Sequence, residues 1–189
     1  NPQGFPADWT PVGSQVEASA DAHAGKRALR MVRTAETKAV ETGLNRAFGS
    51  PADKGGAMLD QRSGGIDFWY KAVSAQNAEL CVYAIPMDAD AVEKTGAARA
   101  RFAVPAQHIG DGQWHHARLK YDFTQNPKVR WVQFAARIVG TAGELLLDDV
   151  SYIERVGVLL RAVPYATAAG DFDGLAELHR DAHRLGRRE

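Results

Sequence analysis

Two carboxylates stand side by side in the stretch GELLLDDVSYIE. Leu145, Leu146 and Leu147 run into Asp148 and Asp149, and Val150, Ser151, Tyr152 and Ile153 follow. A strand this apolar does not accept two charges in its middle without cause. One aspartate can face water. The other needs a partner, a hydrogen-bond network or a metal, because burying a bare carboxylate is costly. The sequence leaves open which of the two turns inward.

A second group of residues is marked by alternation. In GIDFWYKAV, Ile66, Phe68 and Tyr70 share one face and Asp67, Trp69 and Lys71 the other. In NAELCVYAI, Leu80, Val82 and Ala84 oppose Glu79, Cys81 and Tyr83. In KVRWVQFAARIV, Val132, Phe134, Ala136 and Ile138 oppose Trp131, Gln133, Ala135 and Arg137, and in WHHARLKYDF, Ala117, Leu119, Tyr121 and Phe123 oppose His116, Arg118 and Lys120. Trp69, Tyr83 and Trp131 thus fall in the polar sets, among Lys71, Glu79, Gln133 and Arg137. If these strands share a sheet, its outer face mixes aromatic plates with amide, carboxylate and guanidinium groups. That mixture suits a sugar ring, which has an apolar C–H face to stack and a rim of hydroxyls to hydrogen-bond. The alternative is that each ring lies under a loop or a terminal helix, since tryptophans are usually largely buried. Trp9 and Trp114, at the starts of strands, read as core or edge plugs.

Other constellations carry less. His179 and His183 have the i, i+4 spacing of a zinc pair but no third ligand, and read as two exposed helix histidines. His115 and His116 are adjacent on a strand and face opposite ways. No G-x-S-x-G, P-loop or H-E-x-x-H motif occurs. Glu79 with Glu144, or Asp67 with Asp122, would need a separation of roughly 5–9.5 Å to act as a glycosidase pair; nothing in the sequence supports either pairing, so no catalysis is expected.

The elements that must position these residues are short. Alternating runs broken by turn residues give about nine strand candidates in roughly the first 150 residues, the pattern of an all-β sandwich or barrel. GIDFWYKAV and NAELCVYAI read as a strand pair around SAQ. ERVGVLLRAVPYATAAG begins as a possible strand and then loosens. DFDGLAELHRDAHRLGRRE reads as an amphipathic helix with Leu175, Leu178, Ala182 and Leu185 on one stripe. Acidic residues lie early in it and arginines late, which complements the helix dipole. The expected organisation is a β-sandwich over 1–154 and a C-terminal extension over 155–189 that ends in this helix.

With 189 residues, the chain suits one domain, or one domain plus an appendage. Lys plus Arg and Asp plus Glu are both 23, so the basic footprint of a nucleic-acid binder is missing. No apolar run approaches the roughly 20 residues of a membrane helix. Cys81 is the only cysteine, which excludes an internal disulfide. No signal-peptide pattern begins at Asn1, and the opening NPQGFPADW suits a processed or trimmed chain.

Four motifs, in order and spacing, resemble carbohydrate-binding modules with the galactose-binding-like jelly-roll fold, such as families four, nine and twenty-two. NPQGFPADWTPVG is similar to their opening segment, ADAHAGKRALRM to their D-x-x-H-S-G-K segment, GIDFWYKAV to their F-W-Y-K-A strand, and LLLDDVSYIE to their closing DDV strand. The resemblance covers residues 1–154. It implies a two-sheet antiparallel jelly-roll sandwich. It also implies a non-catalytic module that binds a polysaccharide or oligosaccharide, secreted to the extracellular space or periplasm and attached to a larger glycan-active protein with an adjoining catalytic domain. The glycan contacts would be Trp69, Tyr83 and Trp131 as platform and Arg137, Gln133, Glu79 and Lys71 at the edges. The resemblance further implies a structural calcium held by Asp148 or Asp149, Asp21 and the backbone from His23 to Lys26. Pro6 stands where the family often has a glutamate ligand, leaving Asp8 or Gln3 to substitute. The alternative without metal has one aspartate bonding backbone N–H groups of the neighbouring loop and the other facing solvent. A rival function is a structural sandwich that supports a neighbouring domain or an oligomer.

Overall fold

The computed structural model describes residues 9–12, 16–37, 41–48, 62–90, 93, 95–156 and 159–164, with side chains described for 16–37, 62–90, 93 and 95–153. Among the described residues, nine strands form one antiparallel hydrogen-bonded network: β1 (Trp9–Val12), β2 (Val16–Ser19), β3 (Ala28–Arg33), β4 (Glu41–Phe48), β5 (Ser63–Met87), β6 (Ala100–Ala103), β7 (His115–Asp122), β8 (Trp131–Val156) and β9 (Leu159–Pro164). The helix expected near the C-terminus lies outside the described residues. β9 pairs with Ser151–Val156 of β8.

The organising element is the β5–β8 ribbon. GIDFWYKAV and NAELCVYAI do not pair with each other around SAQ, as the sequence suggested. They are two halves of β5, and both run antiparallel to β8, from Gly64↔Glu154 to Met87↔Trp131. A straight strand would put Phe68 about 50 Å from Ala84, the register partner of Phe134. Yet the Phe68 and Phe134 ring centroids are 6.4 Å apart, and Phe68 meets Phe102 at 5.5 Å. The ribbon therefore folds back on itself. The fold falls where Asn77 (φ 46°) faces Gly140 (φ 132°). A Cβ on Gly140 would sit 2.2 Å from the Asn77 carbonyl oxygen, so only glycine fits this corner.

The bend makes two layers. In the first, β7, the N-terminal half of β5, the C-terminal half of β8, β3 and β2 lie side by side. In the second, the order is β6, the C-terminal half of β5, the N-terminal half of β8, β4 and β1. Alternation puts Ile66, Phe68, Tyr70 and Ala72 of the first half of β5, and Leu80, Val82 and Ala84 of the second, into one core. Val132, Phe134, Ala136, Ile138, Leu145 and Leu147 join from β8. This is the expected all-β, two-layer sandwich.

A second irregularity matters for the carboxylates. The β5–β8 register shifts between Asp67 and Trp69, where Asp148 pairs with Trp69 and Ser151 with Asp67. β8 thus carries one extra residue, a bulge, and Asp149 takes φ 48° there. The bulge lets two adjacent aspartates leave the core side while Val150 returns to it at 0% exposure.

Candidate functional site

The residues singled out by type fall on two surfaces, the outer faces of the two layers. On the first layer, the loop after β2 crosses the sheet and Asp148 holds it down. The Asp148 side chain is 1% exposed. Its Oδ2 accepts the backbone N–H groups of His23 (2.9 Å) and Ala24 (3.1 Å), and its Oδ1 accepts that of Asp149 (2.9 Å). Asp148 is therefore the inward aspartate, and backbone donors compensate its burial. Asp149 is exposed, with Oδ2 2.9 Å from His23 Nδ1.

The same loop lays the His23 ring on the indole of Trp69, centroids 3.6 Å apart and planes 11° from parallel. His116 tilts against Trp69 at 5.4 Å, and Trp114 meets the edge of His23 at 6.1 Å. Asp21 ties the loop down again: Lys71 Nζ donates to its Oδ2 (2.8 Å) and Trp114 Nε1 to its Oδ1 (3.3 Å). The Lys71 hydrogen bond, with that of Trp114, holds the Asp21 carboxyl below the usual carboxylate range against a smaller opposing effect of burial. On this face Trp69 and Lys71 are parts of a clamp on the loop.

The outer face of the second layer is built differently. Tyr83 of β5 stands between Arg101 of β6 and Ala135 of β8. Along β8, Trp131, Gln133, Ala135 and Arg137 face the same way. Ala135 and Cys81 form a floor withdrawn from solvent, while Tyr83 and Gln133 are half-buried. Two ion pairs flank the tyrosine. Arg101 Nη2 donates to Glu79 Oε2 (2.5 Å) and its Nε to Cys81 Sγ (3.3 Å). Arg99 donates to both oxygens of Glu93 (2.7 Å each), and its guanidinium carbon lies 5.6 Å from the Tyr83 ring centre. These contacts push the Arg101 guanidinium up, with Cys81 the largest cause.

The seven expected contact residues are thus not brought into one platform. Trp69 and Lys71 lie on one side of the sandwich, and Glu79, Tyr83, Trp131, Gln133 and Arg137 on the other. The residues share parity along β5 and β8, but the corner turns the two outer faces away from each other. Trp131 is 9% exposed, and its Nε1 has no hydrogen-bond partner among the described residues. Arg137 is 5% exposed and donates from Nη1 to the Ala136 carbonyl (2.9 Å). Sequence reasoning missed the ring of His23, 125 residues from Asp148, and Arg99, Arg101 and Glu93 around Tyr83. The signal that could have found the two arginines is the alternation in ARARFAV, which sets Arg99 and Arg101 opposite the partly buried Ala100 and Phe102.

The described members of the expected calcium set do not fit that ion as arranged. Three N–H donors take the Asp148 oxygens, and the loop from His23 to Ala24 turns N–H groups toward that carboxylate, where an ion would need carbonyl oxygens. Asp21 is engaged by Lys71 and Trp114. Lys26 is exposed on the loop. Among the described residues, no group of three or more His, Cys, Asp or Glu side chains could hold a metal. Gln3 and Asp8 lie outside the described residues. The alternative stated from the sequence, a backbone-bonded aspartate beside an exposed one, matches the geometry of Asp148 and Asp149.

No family model matches the sequence, and no curated protein matches it. Solved structures do. The chain is similar to a family 61 carbohydrate-binding module, TmCBM61, in complex with β-1,4-galactotriose: 12% identity over 82% of this chain and 93% of that one, TM-score 0.53. It is similar to the CBM22-1 xylan-binding domain from Paenibacillus barcinonensis Xyn10C, with 16% identity over 79% of this chain and 86% of that one, TM-score 0.51. It is also similar to part of the arabinose-bound MgGH51 α-L-arabinofuranosidase, with 12% identity over 77% of this chain and 23% of that one, TM-score 0.53. At such identities the likeness is one of fold, the galactose-binding-like β-sandwich of carbohydrate-binding modules. No helix among the described residues is long and apolar enough to cross a membrane.

Proposed function

We propose that this chain is a non-catalytic carbohydrate-binding module, and that the outer face of its second layer makes the glycan contact. The observation that carries this reading is the composition of that face. One aromatic ring, Tyr83, stands beside the small floor of Ala135 and Cys81, with Gln133, Glu79, Arg101 and Arg137 around it. A sugar stacked on Tyr83 meets amide, carboxylate and guanidinium groups at its edges. Trp69 is the weaker candidate, because His23 stacks on its indole at 3.6 Å and His116 tilts against it at 5.4 Å, whereas the Arg99 guanidinium carbon stands 5.6 Å from the Tyr83 ring centre. The fold supports the same reading, since solved relatives with it bind galactotriose or xylan. The match to about a quarter of an arabinofuranosidase chain supports an accessory role beside a catalytic domain in a secreted glycan-active protein.

Calorimetry against a panel of soluble polysaccharides tests it. Tyr83→Ala and Gln133→Ala are each expected to lower affinity about 5- to 30-fold while Trp69→Ala leaves it within about twofold, stacking and buried polar contacts each being worth roughly 1–2 kcal/mol. Full affinity in Tyr83→Ala would remove the site. The rival reading, a sandwich that supports a neighbouring domain, draws on the low exposure of Trp131 and Arg137. It predicts no retention on any glycan of the panel.

A further inference from the structure

Away from both outer faces, four titratable side chains form a chain across the loop between β6 and β7. The loop leaves a single 3-10 turn at Ala106–His108 and reaches β7 through Gly110 (φ 80°) and Gly112 (φ 74°). The Gly110 N–H donates to the Ala72 carbonyl of β5 (2.8 Å), beside the bridge of Ile109 to Ala72, and at the start of the loop the Val104 N–H donates to the Leu80 carbonyl (2.9 Å). This path brings the rings of His108 and His115 into a parallel stack, centroids 3.7 Å apart and planes 2° apart. His108 Nδ1 lies 2.6 Å from the hydroxyl of Tyr70. His115 Nε2 lies 2.7 Å from Asp111 Oδ2. Among the described residues these are the charged or titratable groups that face the pair: Tyr70 from β5, and Asp111 from the loop itself.

The proton positions follow from the partners. Burial, with the Asp111 charge adding to it, pushes the Tyr70 phenol up to about 12, so it keeps its proton, and it donates to His108 Nδ1 in the tautomer that carries its hydrogen on Nε2. The backbone N–H of Gln113, helped by His115, holds Asp111 below the usual carboxylate range, so it accepts from His115 Nε2–H. One positive charge on His115 is therefore accommodated by Asp111. A second, on His108, is not. It would put two like charges on rings in contact. It would also force a hydrogen onto Nδ1, so that Tyr70 had to accept there and its own hydrogen lost that acceptor.

We propose that the stacked His108–His115 pair is a pH-sensitive latch, closed while the pair carries at most one proton more than neutral and opened when acid drives a second onto it. Histidine is the side chain whose ordinary titration spans this range. Opening weakens the Gly110–Ala72 hydrogen bond beside the stack, while Ile109, packed against the core, and Trp114, tied to Asp21, keep their places. The latch does not rest on the glycan reading.

Amide exchange followed by NMR tests it on the whole chain. After correction for intrinsic exchange, protection of the Gly110 amide should fall at least tenfold between pH 8 and pH 5, while the Phe134 amide in the core ladder keeps its protection. Asp111→Asn should move that fall to higher pH, and His108→Gln should abolish it. Protection of Gly110 that stays flat over this range overturns the proposal, as does a fall of the same size in His108→Gln. Should the variants not fold, the ring protons of His108 and His115 decide it in the unaltered protein: contacts between the two rings should be lost over the same pH range as the Gly110 protection, and a stack that persists at pH 5 overturns the latch.

Discussion

β5 and β8 build both outer faces of the sandwich, and they build them to different ends. On the first layer, Trp69, Lys71 and Asp148 are turned to holding a loop: a buried carboxylate on its N–H groups, an imidazole on the indole, an ion pair at Asp21. On the second layer no described loop is tied across the sheet, and the polar groups pair with one another around Tyr83. The same residue types, an aromatic beside a charge on the outward side of a strand, hold a distant loop in one place and pair within their own sheet in the other. What separates them is where their partners come from: backbone donors and a ring from the loop after β2 on the first layer, neighbouring side chains on the second.

The largest effect that would sharpen this contrast is at Asp148. Asp148→Ala leaves the His23, Ala24 and Asp149 amides without their acceptor and is expected to cost about 3–5 kcal/mol of unfolding free energy in urea titration. Asp149→Asn, which keeps a residue type tolerated at φ 48°, should cost less than about 1 kcal/mol, because the pairing of Asp149 with His23 is exposed to solvent. If the two variants are equally stable, the assignment of the inward aspartate is broken.

Trp69→Ala comes next. It should lower stability by about 2–3 kcal/mol through loss of its stack and burial, with glycan affinity intact, whereas Tyr83→Ala should do the reverse. A melt and a binding isotherm for each variant suffice, and a variant that loses both properties would blur the division between the faces.

A smaller effect is expected with pH. Because the folded protein holds Asp21 below its ordinary value, the stabilisation from that pairing is present above the unfolded carboxylate range. It is lost as pH falls through the folded value, below about pH 4. Asp21→Asn should flatten that part of the stability profile. The smallest effect expected is from chelation. With Asp148 satisfied by amides, the melting temperature should not move when chelator is added; a fall would show an ion bound to the folded state alone.

Much of the fold could be read without coordinates. Period-two alternation put Ile66, Phe68 and Tyr70, and likewise Val132, Phe134 and Ile138, on the core side, where they are buried. Alternation is a local property, set by pleating, so it survives without knowledge of the partner strand. It could not show that β5 continues through SAQ, because a strand that bends between layers and a hairpin share the same pattern. Nor could it show the bulge at Asp149, which depends on the register against β5.

The site was legible as residue types and not as a surface. Composition and spacing by themselves determined an all-β chain with aromatic and polar residues on the outward sides of its strands and a carboxylate pair in an apolar run. Only the tertiary structure decided that the corner at Asn77 and Gly140 sends Trp69 and Tyr83 to opposite sides. It alone decided that His23, far away in sequence, covers one indole, and that Asp148 rather than Asp149 faces inward. The physical reason is one of range. The direction of a side chain follows from its own backbone, but what it meets there depends on which distant segment the fold brings across it.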